Sequence, residues 1–250
     1  AFSLLLSVSA FSNPVEVRKK DLRVVEKIYY LKDSEVPFTG KVSEGRDRLY
    51  YLNGKQDGKW ISFYKNGNIK SIVNWKDGKL NGKTLVYNEN GKMKTEENYV
   101  NGALDGVSKS FYANGSVEFE TTFRNNVKEG VEKHYSPSGR VETEVLFKNN
   151  VANGIAKQYN AEGKLEYETM IVNGKREGLS KKHYPSGKLL SEVTFRNDKE
   201  EGMMKGYFEN GKLQLEIPYK NGQVDGLVKR YDENGQVVEQ ATFKNGKEVK

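Results

Sequence analysis

Gly58, Gly82, Gly106, Gly130, Gly154, Gly178, Gly202 and Gly226 stand 24 residues apart with no insertion between them. A second glycine keeps the same step at Gly67, Gly91, Gly115, Gly139, Gly163, Gly187, Gly211 and Gly235. A period in the range of roughly 20–50 residues marks one small supersecondary unit that stacks on copies of itself. Such an array contacts only its neighbours and presents an extended surface. It is poorly suited to gathering distant residues around one catalytic centre. Composition agrees: 36% of residues are hydrophobic and 30% charged, too few apolar side chains for a thick core. A thin sheet with partly wet side chains suits this balance.

Position n lies n residues after the restarting glycine of its unit. Position 5 is aromatic in most units: Phe63, Tyr87, Phe111, Tyr135, Tyr159, His183, Tyr207, Tyr231. Position 11 is Ile69, Met93, Val117, Val141, Leu165, Leu189, Leu213 and Val237, and position 17 runs from Trp75 to Phe243 with Ile171 as its one aliphatic member. Asn or Asp followed by Gly closes most units, with Asn126, Asn150 and Asp198 standing in for the glycine because they tolerate a left-handed backbone. Short β-rich runs between such dipeptides read as hairpins. The predicted fold is all-β: an elongated, twisted, single-layer antiparallel ribbon of about eight 24-residue β-hairpin repeats. The apolar positions 1, 5, 11, 15 and 17 are all odd. A three-residue loop that pairs position 5 with position 11 puts them on one face, so that loop is expected at the first turn.

The chain divides into three segments. Residues 1–12, apolar and small and ended by Asn13-Pro14, read as the remnant of a secretory signal peptide, which implies an exported protein; a buried N-terminal strand is the other reading. Residues 13–57 hold capping strands, including Leu22–Leu31, and a shortened repeat from Gly40. Residues 58–250 are eight tandem repeats with a charged end, Lys244–Lys250. No later segment is apolar enough to cross a bilayer as a helix. With no cysteine there is neither a disulfide nor a thiolate metal site.

From the third repeat onward position 3 is lysine: Lys109, Lys133, Lys157, Lys181, Lys205 and Lys229. In the predicted register they share a face with Phe111, Tyr135, Tyr159, Tyr207 and Tyr231, and these eleven residues are the candidate partner-binding set. Cations between aromatic rings suit an anionic or carbohydrate ligand. They equally suit a structural role, with the lysine stems lying over the apolar face and the ammonium groups in water. Position 14 is glutamate at Glu96, Glu120, Glu144, Glu168, Glu192 and Glu216, and its even number places it on the opposite face. His134 and His183 are expected to pack or lie at the surface. No catalytic residue, metal site or cofactor is expected. The net charge of +7 admits acidic proteins, glycans or lipid headgroups. Nucleic acid is the weakest candidate, because no recognition module is present. Unpaired terminal strands could join end to end, giving a homodimer through a terminal repeat.

The unit Gly-x₄-aromatic-x₂-Asn-Gly-Lys, closing on aromatic-x-Asn-Gly and restarted by Asp-Gly, resembles the MORN repeat, and in particular the variant found in tandem in exported bacterial proteins and in proteins labelled antitoxin components. The resemblance runs from Tyr29 to Lys250. It implies scaffolding, dimerisation and membrane-proximal roles; such repeats also accompany some lipid kinases, but the sequence holds no Gly-rich loop opening a helix, no lysine on a nucleotide-binding strand and no catalytic loop. It also implies, through the labelled relatives, neutralisation of a cognate toxin. Export and extended shape together point to adhesion at a host or neighbouring cell surface.

Overall fold

The computed structural model describes residues 14–249; the expected signal-peptide remnant lies outside them. The described residues are all-β apart from one short turn of helix at Lys19–Asp21, and they form two compact units, one ending at Ala103 and one beginning at Leu104.

The first unit holds the cap and the first two repeats. Gly40–Glu44, Asp47–Leu52, Gly58–Phe63, Ile69–Lys76, Gly82–Tyr87 and Met93–Val100 pair antiparallel in chain order. Glu16–Arg18 covers the free edge of Gly40–Glu44 and runs parallel to it, a pairing the sequence pattern did not declare. Leu22–Val25 and Ile28–Leu31 form a separate hairpin, as expected of capping strands. Backbone hydrogen bonds hold it against the array: Tyr29 N–H to the Gly54 carbonyl at 2.8 Å, and Gly54 N–H to the Phe38 carbonyl at 2.7 Å. Beneath it lie Phe38, Val42 and Tyr51, with Val17, Leu22, Tyr29, Leu31 and Leu49 packed around them. The Tyr29 and Tyr51 rings sit 4.6 Å apart. This is the only conventional core cluster among the described residues, and it blocks the edge that an open array would otherwise offer to another chain.

The second unit is an antiparallel array from Gly106–Phe111 to Lys247–Val249, each strand paired with its chain neighbour. The first turn of each repeat is the expected three-residue loop. At residues 112–116, Tyr112 N–H donates to the Ser116 carbonyl, Gly115 N–H donates to the Tyr112 carbonyl, and Gly115 is left-handed with φ 95°. The second turn has two residues, both left-handed; Asn125 and Asn126 have φ of 49° and 66°. Asn126, Asn150 and Asp198 do stand in for glycine there.

A bulge overturns the expected arrangement of faces. Phe111 pairs with Val117, as the three-residue loop requires, but Ser110 pairs with Phe119, so Glu118 is skipped. The same bulge follows the first turn in every repeat, and the extra residue is always position 12. A bulge adds one residue to one strand and shifts register for everything beyond it. Positions 5 and 11 therefore share a face with 1, 3, 14 and 16. Positions 15 and 17 lie on the other face with 2, 4 and 13. The five apolar columns read as one face are split three and two.

The face of positions 2, 4, 15 and 17 is the packed one: Thr121, Thr169, Ser180 and Phe195 are buried there. Because Phe195 is the only buried hydrophobic side chain among the described residues of this unit, stability is spread along the strands. Each cross-strand pair contributes roughly 0.2–1 kcal/mol. The turns also stack between repeats. Glu129, Glu177 and Glu201, each just before a restarting glycine, accept the N–H of Asn149, Asn197 and Asn221 at the next turn.

The restarting glycines carry a distinct constraint. Gly154 has φ 138°, and a Cβ there would fall 2.5 Å from Leu146 Cδ2 and 3.1 Å from its Cβ. Gly163, in a three-residue loop, is left-handed with open space around it. Gly154→Ala is expected to cost about 1–3 kcal/mol through backbone strain. Gly163→Asn should stay within roughly 0.5 kcal/mol of wild type, as an exposed change in a conformation Asn tolerates. Urea unfolding of the two variants checks the ranking.

Candidate binding face

The bulge brings positions 3 and 14 directly opposite one another. Lys109 pairs with Glu120, Lys133 with Glu144, Lys157 with Glu168, Lys181 with Glu192 and Lys205 with Glu216. Each glutamate also faces the lysine of the following repeat: Glu120 faces Lys133, Glu144 faces Lys157, Glu168 faces Lys181, Glu192 faces Lys205 and Glu216 faces Lys229. The expectation that these glutamates occupy the opposite face is thus corrected. Skipping one residue reverses the parity on which it rested. The result is a single row from Lys109 to Lys229 in which charge changes sign at every strand.

Ion-pair distances are 3.1 Å for Lys109–Glu120, 3.0 Å for Lys133–Glu144 and 3.8 Å for Lys181–Glu168. The aromatic column borders the same row. Tyr159, Tyr207 and Tyr231 donate their hydroxyls to Glu144, Glu192 and Glu216 at 2.9, 2.7 and 2.7 Å. Phe111 and Tyr135 occupy the same column, paired with Val117 and Val141. The structure therefore gathers all eleven candidate residues on one face, but interleaves the lysines with carboxylates. In the first unit position 3 is Ile61, opposite Ile72, and Leu85, opposite Glu96, and that glutamate takes Lys83 at 2.6 Å instead.

Electrostatics follow the geometry. The hydrogen bond and charge of Glu144 raise the Lys133 ammonium above its ordinary value. Partial burial pushes Glu144 upward, but hydrogen bonds from Lys133 and Tyr159 outweigh it and hold the carboxyl below the usual range. Burial and the bond to Glu192 push Tyr207 up to about 12.

On the packed face, cations that the sequence pattern did not single out lie over aromatic rings: Lys128 Nζ is 4.9 Å from the Phe147 centroid and Arg176 Cζ 4.0 Å from that of Phe195. Their signal was a long cationic side chain at position 22, which pairs directly with position 17 of its own unit and covers the position 17 ring of the next. His134 stacks on Phe119 at 4.5 Å, with Nε2 3.2 Å from the Tyr112 hydroxyl and Nδ1 3.2 Å from Glu142, a packing role. Among the described residues no cluster of three or more His, Asp or Glu is arranged to hold a metal ion, and no helix is long and apolar enough to cross a membrane.

The family model for the MORN repeat variant matches residues 56–77, 80–101, 104–125, 128–149, 152–173, 176–197, 200–221 and 224–245. The chain belongs to the MORN repeat family. A search of curated proteins found no match. Each matched MORN segment begins two residues before a restarting glycine and ends at the left-handed residue that opens the second turn. The hairpin of Gly40–Glu44 and Asp47–Leu52 lies outside the matched segments, yet it pairs as a repeat does and carries the cap.

Glu144 gives a pH test. Its folded-state pKa is depressed, so its contribution to stability is present above the unfolded carboxylate pKa and is lost as pH falls through the folded value. Glu144→Gln should lower stability at pH 7 by roughly 0.2–1 kcal/mol, the scale of a partly exposed pair. The difference should vanish once the pH lies below the carboxylate range. Urea unfolding of both proteins across an acid pH series measures it.

Proposed function

We infer that the chain is an exported, non-enzymatic binding scaffold that meets a protein partner at a cell surface, through the face carrying the lysine–glutamate row and the position 5 aromatics. The observation that carries this reading is the repetition itself. The six in-register MORN repeats of the second unit present the same lysine, glutamate and aromatic columns at a fixed step, and in such an array contact area grows with repeat number. The apolar, small-residue composition of residues 1–12 supports export. The alternating row favours a protein partner over a uniformly charged polymer. An anionic glycan, lipid surface or nucleic acid meets a glutamate beside every lysine, and the attraction largely cancels at distances near the Debye length of about 8 Å. A protein can match alternating signs side chain by side chain.

The test is affinity capture with the full chain as bait, from cell-envelope and host-cell lysates. The comparison bait carries Lys→Gln at the six position 3 lysines, with its fold verified by circular dichroism. The expected outcome is a specific protein partner whose capture weakens at least several-fold with the variant. Absence of any specific partner would contradict the scaffold reading. Recovery of the chain solely in the cytoplasmic fraction of its own cells would contradict export.

A further inference from the structure

The open face of the second unit carries a feature that neither the family assignment nor the charge row explains. Positions 1 and 16 pair across the strands on that face: Val131 with Leu146, Ile155 with Met170, Met203 with Pro218. Leu179 and Leu227 continue the column opposite Thr194 and Thr242. Val131, Leu146, Ile155, Met170, Leu179, Met203 and Leu227 are all exposed, between 38% and 48%. Isolated exposed apolar residues need no explanation, but a contiguous line of them marks an interaction surface. In the first unit the same positions are Lys59, Lys83, Asn74 and Asn98, so the repeat does not require apolar residues there.

Two rows flank this line. Two residues towards the three-residue loops runs the sign-balanced lysine–glutamate row. Two residues towards the Asn-Gly turns lie positions 18 and 21, with Arg124, Lys148, Lys175, Arg196, Lys199 and Lys220, all exposed. None of these six forms an ion pair among the described residues. Further along the same column Lys244 does, with Asp225 at 3.0 Å. The nearby Glu129, Glu177 and Glu201 accept turn N–H groups, and Asp198 and Asp225 lie within the fields of Lys175 and Lys220 without forming an ion pair with them. The line is therefore apolar in the middle, basic on one flank and neutral on the other.

We propose that this line is the docking site for an acidic amphipathic α-helix of a partner protein, laid across the strands from Val131 towards Leu227. It rests on the scaffold reading above and names the surface and the partner's chemistry. Strands step by about 4.8 Å and a helix advances about 5.4 Å per turn, so successive turns meet successive strands. Eight strand spacings span roughly 38 Å, the length of about 25 helical residues. A helix about 10 Å across covers the apolar line and reaches the cations some 7 Å to one side. Its apolar stripe meets the valine, leucine, isoleucine and methionine side chains, and the methionines adapt to its shape. Its acidic flank meets the arginines and lysines. A bilayer fits less well: the line contains no Trp, Tyr or Phe of the kind enriched at membrane interfaces, and a flat anionic surface would also press on the glutamate row.

Fluorescence anisotropy with the full chain tests this. The probe is a labelled 25-residue helical peptide with a leucine stripe and a glutamate flank. The controls are the same peptide with lysine replacing glutamate, a scrambled peptide, and vesicles of phosphatidylcholine and phosphatidylserine. The acidic helix should bind, while the lysine and scrambled peptides should bind at least tenfold more weakly. Ile155→Glu with Leu179→Glu should weaken binding at least tenfold. Arg196→Glu with Lys199→Glu should also weaken it and reduce its salt dependence. All four positions are exposed, so unchanged melting curves establish that these variants fold. No binding of the acidic helix, equal binding of the controls, or binding unaffected by the line variants overturns the proposal. Binding to vesicles but not to peptide overturns it in favour of a membrane. If the line variants still capture the partner found with the full-chain bait, the scaffold reading stands and this surface assignment fails.

Discussion

The extra residue at position 12 decides which side chains share a face. Without it, a three-residue loop would pair position 3 with position 13 and leave position 14 on the opposite face. With it, Lys133 faces Glu144, Glu144 faces Lys157, and the alternation continues from Lys109 to Lys229. One skipped residue per hairpin thus converts two charged columns, each of a single sign, into one row that neutralises itself.

The same shift divides the apolar residues. Positions 15 and 17 turn to the packed face, where Phe195 is buried and Arg176 covers its ring. Positions 5 and 11 border the charge row, and the tyrosine hydroxyls at position 5 tie into its glutamates. Positions 1 and 16 remain exposed on the open face, apolar only in the second unit. With the central row balanced, the cations of positions 18 and 21 give that face its asymmetry. A partner therefore meets three kinds of chemistry side by side, set by strand alternation.

Much of the fold was legible because glycine and its substitutes report backbone conformation directly. The 24-residue step, the three-residue first turn with Gly115 left-handed, and Asn126, Asn150 and Asp198 in place of glycine can all be read one residue at a time. The bulge could not, because its residue has no chemical signature. Position 12 holds Lys70, Glu118, Leu190 and Val238 in different repeats. Parity holds up to the turn and fails one residue beyond it. The candidate lysines and aromatics were correctly placed on one face, while their glutamate partners were misplaced. The parallel pairing of Glu16–Arg18 was also hidden, because a three-residue edge strand carries too little pattern to declare its partner.

Cysteine pairing tests the register most directly, since the natural chain contains no cysteine to interfere. Lys133→Cys with Glu144→Cys places the two thiols directly opposite, where Cβ atoms lie about 4.5–5.5 Å apart and small adjustments permit a disulfide. Lys133→Cys with Thr143→Cys places them on opposite faces. Under mild oxidation of the folded protein, the bulged register predicts rapid and near-complete crosslinking of the 133/144 pair and almost none of the 133/143 pair. The reverse result would mean that the bulge is absent, and with it the charge row and the division of faces that depend on it.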